Sequence, residues 1–128
     1  MDSEYSGFWF YASHLVEICL EIFGWNPKSV IASNNNKSVC GIIKYDKFSV
    51  SCNFTEGCFE SYYASVHGKK TVAKPISLKN IFRFECDAFV EMLRTGKISH
   101  DLDKLVKPVK VIDAIMKSYE TGKEIEVQ

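Results

Sequence analysis

GFWFYASHLVEICLEIFG, residues 7–24, decides how the rest of the chain is read. Leu15, Ile18, Cys19, Ile22 and Phe23 recur at i, i+3, i+4, i+7 and i+8, the spacing of a single buried helical stripe. Gly24 is expected to stop the helix, since glycine tolerates the left-handed backbone of a C-terminal cap. At about 100° per residue, His14 lies about 110° from the middle of that stripe, beside Glu17 and Glu21. Phe10 stands one turn earlier on the same side. A histidine at the edge of a packed helix is held rigidly and still reaches a ligand.

Beyond this helix the period changes from helical to alternating. After the corner Trp25-Asn26-Pro27, strands are expected at Lys28 to Ser33, Val39 to Tyr45, Phe48 to Thr55, Phe59 to His67 and Thr71 to Lys74. Asn34-Asn35-Asn36, Asp46-Lys47, Glu56-Gly57 and Gly68-Lys69-Lys70 serve as turns, and Pro75 ends the fifth strand. The third strand alternates without fault. Phe48, Val50, Cys52 and Phe54 face a core, while Ser49, Ser51, Asn53 and Thr55 face away. Turns this short favour antiparallel neighbours.

From Ser77 the helical period returns. A helix capped by Ser77 is expected to run to about Thr95, with Ile81, Phe84, Ala88 and Met92 inward and Gly96 just past its end. A last helix spans about Leu102 to Glu120, its inner stripe Leu105, Val109, Ile112, Met116 and Tyr119. Pro108 predicts a kink there or two abutting helices. Glu124 to Val127 alternates again as an edge strand. The fold class is therefore α+β: a predominantly antiparallel open sheet with helices packed on one face, in a single domain over residues 1–128.

Composition narrows the function classes. Sixteen basic residues balance sixteen acidic ones, so the basic stripe that displaces counterions from nucleic acid is missing. No apolar run approaches the ~20 residues needed to span a bilayer, and MDSEYSG lacks the features of a secretory signal. Five cysteines without a CxxC pair fit reduced thiols in a cytoplasm. Of these, Cys19 and Cys52 fall on apolar faces and read as small core residues. No histidine pair shares metal-ligand spacing with a cysteine or carboxylate, so no metal is expected.

The opening helix and the tail AIMKSYETGKEIEVQ (residues 114–128) together resemble the C-terminal domain of the glucose–fructose oxidoreductase / inositol dehydrogenase / MocA family. That domain opens with a glycine, a helix carrying a histidine, a nearby acid and a closing glycine. It ends with a helix, a Ser-x-x-(Thr)-Gly-Lys turn and a last strand, matched by Ser118, Thr121, Gly122 and Lys123. The resemblance spans nearly all 128 residues and rests on the order and separation of motifs, each degenerate alone.

It implies the dehydrogenase C-terminal-domain fold, a sugar or polyol substrate, NAD or NADP in the parent enzyme, and pairing of sheet faces into dimers or larger homo-oligomers. His14 takes the position of the substrate-contacting or proton-accepting histidine, the catalytic candidate, and Tyr11 and Ser13 are candidate substrate-binding residues. A histidine titrates near neutrality and suits removal of a hydroxyl proton. The bland alternative is a surface histidine paired with Glu17 one turn along. Where the family often has an aspartate four residues before that histidine, this chain has Phe10, which puts ordinary dehydrogenase chemistry in question.

Neither GxGxxG nor GxxxxGK[ST] occurs in the chain, and all seven glycines are isolated. No loop brings bare amides against a pyrophosphate. The N-terminal Rossmann domain is therefore expected to be absent, and the chain is not expected to be active alone. Self-association is expected through Ser49, Ser51, Asn53, Ser61, Tyr63 and their neighbours on the open sheet face. A non-catalytic binding or scaffold module that keeps the fold is the alternative.

Overall fold

The computed structural model describes residues 8–35, 38–55, 62–77, 79–98 and 101–128, and for 8–11 and 34–35 the backbone alone. Its element order is α1 (Phe8–Phe23), β1 (Ser29–Asn35), β2 (Ser38–Lys44), β3 (Ser49–Thr55), β4 (Tyr62–His67), β5 (Thr71–Ile76), α2 (Ile81–Thr95), α3 (Leu102–Thr121) and β6 (Ile125–Glu126). The architecture is α+β with antiparallel pairing throughout the described strands. The chain divides into two compact units, Met1–Gly57 with Leu102–Gln128, and Cys58–Asp101.

In the first unit the sheet order is β3-β2-β1-β6. Its core face carries Val30, Ala32, Val39, Ile43, Val50, Cys52 and Phe54, against Ala12, Val16, Cys19 and Leu20 of α1 and Val111, Ala114 and Ile115 of α3. Strand β3 alternates between exposed and buried along its full length, as its polar/apolar sequence demands. Small residues set the closeness of α3. A Cβ at Gly41 would lie 3.6 Å from Cδ1 of Ile115, so this bare strand position is roofed directly by the helix. Full burial of a side chain such as Ile115 contributes roughly 2 kcal/mol.

The helical faces are rotated from those the apolar spacing suggests. On α1 the buried residues are Ala12, Val16, Cys19 and Leu20, whereas Ile22 is 48% exposed. On α3 they are Pro108, Val111, Ala114, Ile115 and Ser118. Leu105 and Val109 are exposed, and Ile112, Met116 and Tyr119 are half-buried on the flank. The inward face of α3 thus lies about 115° round the helix from the expected stripe. Closeness of approach selects alanine, proline and serine there, which a hydrophobicity pattern does not rank first. Pro108 sits inside one uninterrupted helix rather than between two abutting ones; it removes a single intrahelical donor.

Ser118 is fully buried, and its hydroxyl serves two backbone groups. It accepts from the Ala32 amide at 2.8 Å and donates to the Lys123 carbonyl. Ala32 lies on β1 past the point where β6 pairs, at Ser29 and Val30, so Ser118 replaces a missing strand partner. Gly122, at φ 67°, closes α3 with its amide on the Ser118 carbonyl, and Thr121 Oγ1 donates to the Lys117 carbonyl. The Ser-x-x-Thr-Gly-Lys turn is in this way a helix stop and a sheet-edge clip at once.

The second unit holds a two-stranded ribbon, β4 with β5, and α2. The fourth and fifth strands therefore form their own sheet rather than extending the first. Pro75, expected to end β5, lies within it opposite Tyr63, which a ribbon permits because each strand has an unpaired side. Helix α2 begins at Ile81, behind Asn80 in the left-handed region at φ 63° and without a side-chain cap. Ser77 is not that cap. Its hydroxyl instead accepts from the Lys79 amide, a local turn that delays the helix. Gly96 ends α2 as expected, but none of the helix's residues is buried, so Ile81 and Phe84 form no inner stripe. The Glu56-Gly57 turn and residues 59–61 of the expected fourth strand lie outside the described residues, as does Asn36.

Replacing Ser118 by alanine strands the buried Ala32 amide and the part-buried Lys123 carbonyl. It is expected to lower stability by about 2 kcal/mol, seen as a fall in the urea midpoint at unchanged slope. An unaltered midpoint would show the clip to be idle.

Candidate functional site

Helix α1 is fixed by its buried residues and by a closed end: the Gly24 amide donates to the Leu20 carbonyl, and Gly24 has φ 111°. Tyr45 Oη donates to the Gly24 carbonyl at 2.7 Å, tying the helix end to the end of β2. Tyr45 also stacks on Phe48 with ring centroids 4.6 Å apart, and Phe48 meets Phe23 at 6.4 Å. Phe48 is thus 47% exposed rather than a core-facing strand residue; it caps the β2–β3 turn from outside. Burial, followed by the nearby thiols of Cys19 and Cys52, pushes the Tyr45 phenol up to about 12.

With the helix so anchored, His14 lies about 170° from the centre of the buried stripe, not at its edge. It is exposed, in line with Glu17 and Glu21, which are also exposed. The expected position near the stripe's margin is corrected by the true packing face, which is centred on Ala12, Val16 and Cys19. Ser13 is half-buried beside that outward face. Position 11 falls about 60° round the helix from position 14, on the side away from position 13, and the Tyr11 side chain lies outside the described residues. Phe10 and the rest of the run 8–10 share that status. The three candidate positions therefore fall within one turn of α1 but span about 160° of its circumference.

A shallow recess lies elsewhere, where β1 runs on past β6. Ile31, Ala32, Ser33, Cys40, Ile42, Tyr119 and Gly122 line it, and neither Ser13 nor His14 does. On the open sheet face Ser49, Ser51, Asn53 and Thr55 are exposed as expected. Tyr63, assigned to the same face from sequence, belongs to the β4–β5 ribbon instead, because among the described residues the fourth strand pairs with the fifth alone; Ser61 is outside the described residues. His67 sits at the closed end of that ribbon, near the hydroxyls of Ser65 (3.1 Å) and Thr71 (3.4 Å). His100 lies outside the described residues.

Sequence reasoning passed over Glu124. Its carboxylate accepts from Ser29 Oγ and from Lys44 Nζ, joining β1, β2 and the approach to β6. The Lys44 and Ser29 hydrogen bonds hold this carboxyl below its ordinary value of 4.5. Nothing in the spacing points to it, since its partners are 95 and 80 residues away.

Among the described residues, no group of three or more His, Cys, Asp or Glu is placed to hold a metal ion. No helix among them is long and apolar enough to cross a membrane. The glycines with positive φ (Gly24, Gly96 and Gly122) all stand at helix C-termini, where carbonyls gather. A pyrophosphate requires the amides of a helix start.

No family model and no curated protein matches this sequence. A solved structure does: a protein assigned as a myo-inositol dehydrogenase from Sinorhizobium meliloti 1021. It superposes with a TM-score of 0.62 at 13% identity over 97% of this chain. The chain spans 51% of that protein's length. At this identity the likeness establishes a shared fold.

Because His14 is exposed on the outward face of α1, His14→Ala is expected to change stability by less than about 0.5 kcal/mol, measured by thermal melting. A large loss would mean that the imidazole is structural. Glu124, whose folded pKa is depressed, contributes stability above its unfolded value that is lost as pH falls through the folded one. Glu124→Gln should therefore flatten the decline of stability below about pH 4.5. Parallel acid profiles for the two proteins would contradict this linkage.

Proposed function

We propose that this chain is the substrate-binding and oligomerisation half of an NAD(P)-dependent sugar or polyol oxidoreductase of the glucose–fructose oxidoreductase / inositol dehydrogenase / MocA type. A Rossmann-type half, in the same polypeptide or a separate one, supplies NAD or NADP. The observation that carries the reading is the structural likeness, which takes in nearly all of this chain and only half of the dehydrogenase. The order of the sequence motifs supports it independently, and the sequence given carries no GxGxxG segment.

On this reading the outward arc of α1 borders the cleft where the two halves meet. His14 accepts the proton of the substrate hydroxyl, Glu17 steadies the imidazole one turn away, and Tyr11 and Ser13 donate hydrogen bonds to neighbouring hydroxyls. The hydride acceptor is bound by the other half. Exposure of His14 in this chain fits a surface that a docked neighbour covers. The sheet face of Ser49, Ser51, Asn53 and Thr55, with Ile42 at 37% exposure among them, is the surface for self-association in a cytoplasmic homo-oligomer.

One residue favours a second reading. Phe10 stands where the family often carries an acid, and a phenyl ring neither accepts a proton nor orients an imidazole. A module that binds without catalysis keeps the same fold. If the chain joined to a Rossmann-type half fails to quench NAD(P)H fluorescence, this second reading replaces the first.

Titration with myo-inositol, followed by amide chemical shifts, is expected to perturb the first half of α1 and to lose that effect in His14→Ala. Shifts absent from α1 at large ligand excess would remove the proposed site. Light scattering is expected to give at least a dimer mass that Asn53→Lys reduces. A monomer at high protein concentration would exclude the sheet-face association.

A further inference from the structure

The thiols of Cys19 and Cys52 lie 3.3 Å apart inside the first unit, one on the inner face of α1 and the other on the inner face of β3. Both are buried, Cys19 at 6% and Cys52 at 2% exposure, and both are reduced in the structure. They are separated by 33 residues in the chain, so a bond between them would close a long loop. The Sγ atoms need approach by only about 1.2 Å to reach bonding distance. We propose that Cys19 and Cys52 form a peroxide-sensitive thiol pair whose disulfide locks α1 onto the sheet.

Two features separate this pair from ordinary buried cysteines. The other described thiols are placed differently: Cys40 is on β2 near Ser51 Oγ at 3.6 Å, on the opposite face of the sheet, and Cys86 is exposed on α2 of the second unit. The two sulfurs also have different chemical roles. A hydrogen bond from Cys52 lowers the Cys19 thiol against the effect of burial, and the same bond with burial raises Cys52. The shared hydrogen bond thus favours ionisation at Cys19 over Cys52, which assigns Cys19 the attacking role and Cys52 the resolving one.

In the first step the Cys19 thiolate attacks a peroxide oxygen, the O–O bond breaks, hydroxide leaves and a sulfenic acid forms. In the second, Cys52 attacks that sulfur, the S–O bond breaks and the Cys52 proton leaves with the oxygen as water. Overall, two thiols are oxidised to one disulfide and one hydrogen peroxide is reduced to two waters. A thiol reductant reverses the bond. Since Cys19 lies on the helix that carries Ser13 and His14, the switch sets how firmly that helix is held, whatever ligand its outer face takes.

The test uses the full chain and hydrogen peroxide as the probe. Intact mass should fall by two hydrogen atoms, and unreduced digests should contain the Cys19 and Cys52 peptides linked. Exchange of α1 amides should slow several-fold, and dithiothreitol should reverse all three changes. In Cys52→Ala the linkage should vanish and a dimedone-reactive sulfenic acid should persist at Cys19. If that variant does not fold, the wild-type peptide map decides alone. Oxygen added to either sulfur without a link, cross-linking only between chains, or oxidation of Cys86 while Cys19 and Cys52 stay reduced would each overturn the proposal.

Discussion

The packing of α3 against β1 and β2 is the constraint on which the first unit depends. The helix comes close only because Gly41 leaves the strand bare beneath Ile115 and because Ala32 and Ala114 keep the layer thin. Close approach has a second consequence. It brings the Ser118 hydroxyl within 2.8 Å of the Ala32 amide, so the end of β1 that β6 does not reach keeps a partner for its backbone. Apolar burial and hydrogen-bond satisfaction are thus the same event, and neither survives if the helix stands off.

From that arrangement the orientation of α1 follows. The sheet face left between α3 and β3 accepts Val16, Cys19 and Leu20, and the helix rotates to present them. The outward residues are then determined by subtraction, with His14, Glu17 and Glu21 in one row. The same rotation brings Cys19 against Cys52. The candidate binding surface and the thiol pair are opposite sides of one helix, fixed by one packing decision.

The second unit obeys a different rule. Its helix α2 has strongly segregated apolar and charged residues yet buries none of them, and its ribbon is mostly exposed, with only Tyr62, Ala64 and Ile76 half-buried. Isolated two-stranded ribbons gain little by themselves. The sequence patterns of β4, β5 and α2 were written for burial, while those of β1, β2 and β3 have already achieved it within the first unit.

What was legible in the sequence was whatever depends on neighbours along the chain. The alternation of Ser49 to Thr55, the helix stops at Gly24, Gly96 and Gly122, and the kinds of element in order all follow from local backbone chemistry. The placement of Tyr11, Ser13 and His14 within one turn of α1 was equally local. Tertiary structure alone decided which arc of each helix faces inward, and so moved His14 from the margin of the packed stripe to its far side. It also decided that β4 and β5 leave the main sheet and that Glu124 meets Ser29 and Lys44. The physical reason is that close packing rewards size and hydrogen-bond fit between distant residues, as at Gly41 with Ile115 or Ala32 with Ser118, and periodicity measures only hydrophobicity along one segment.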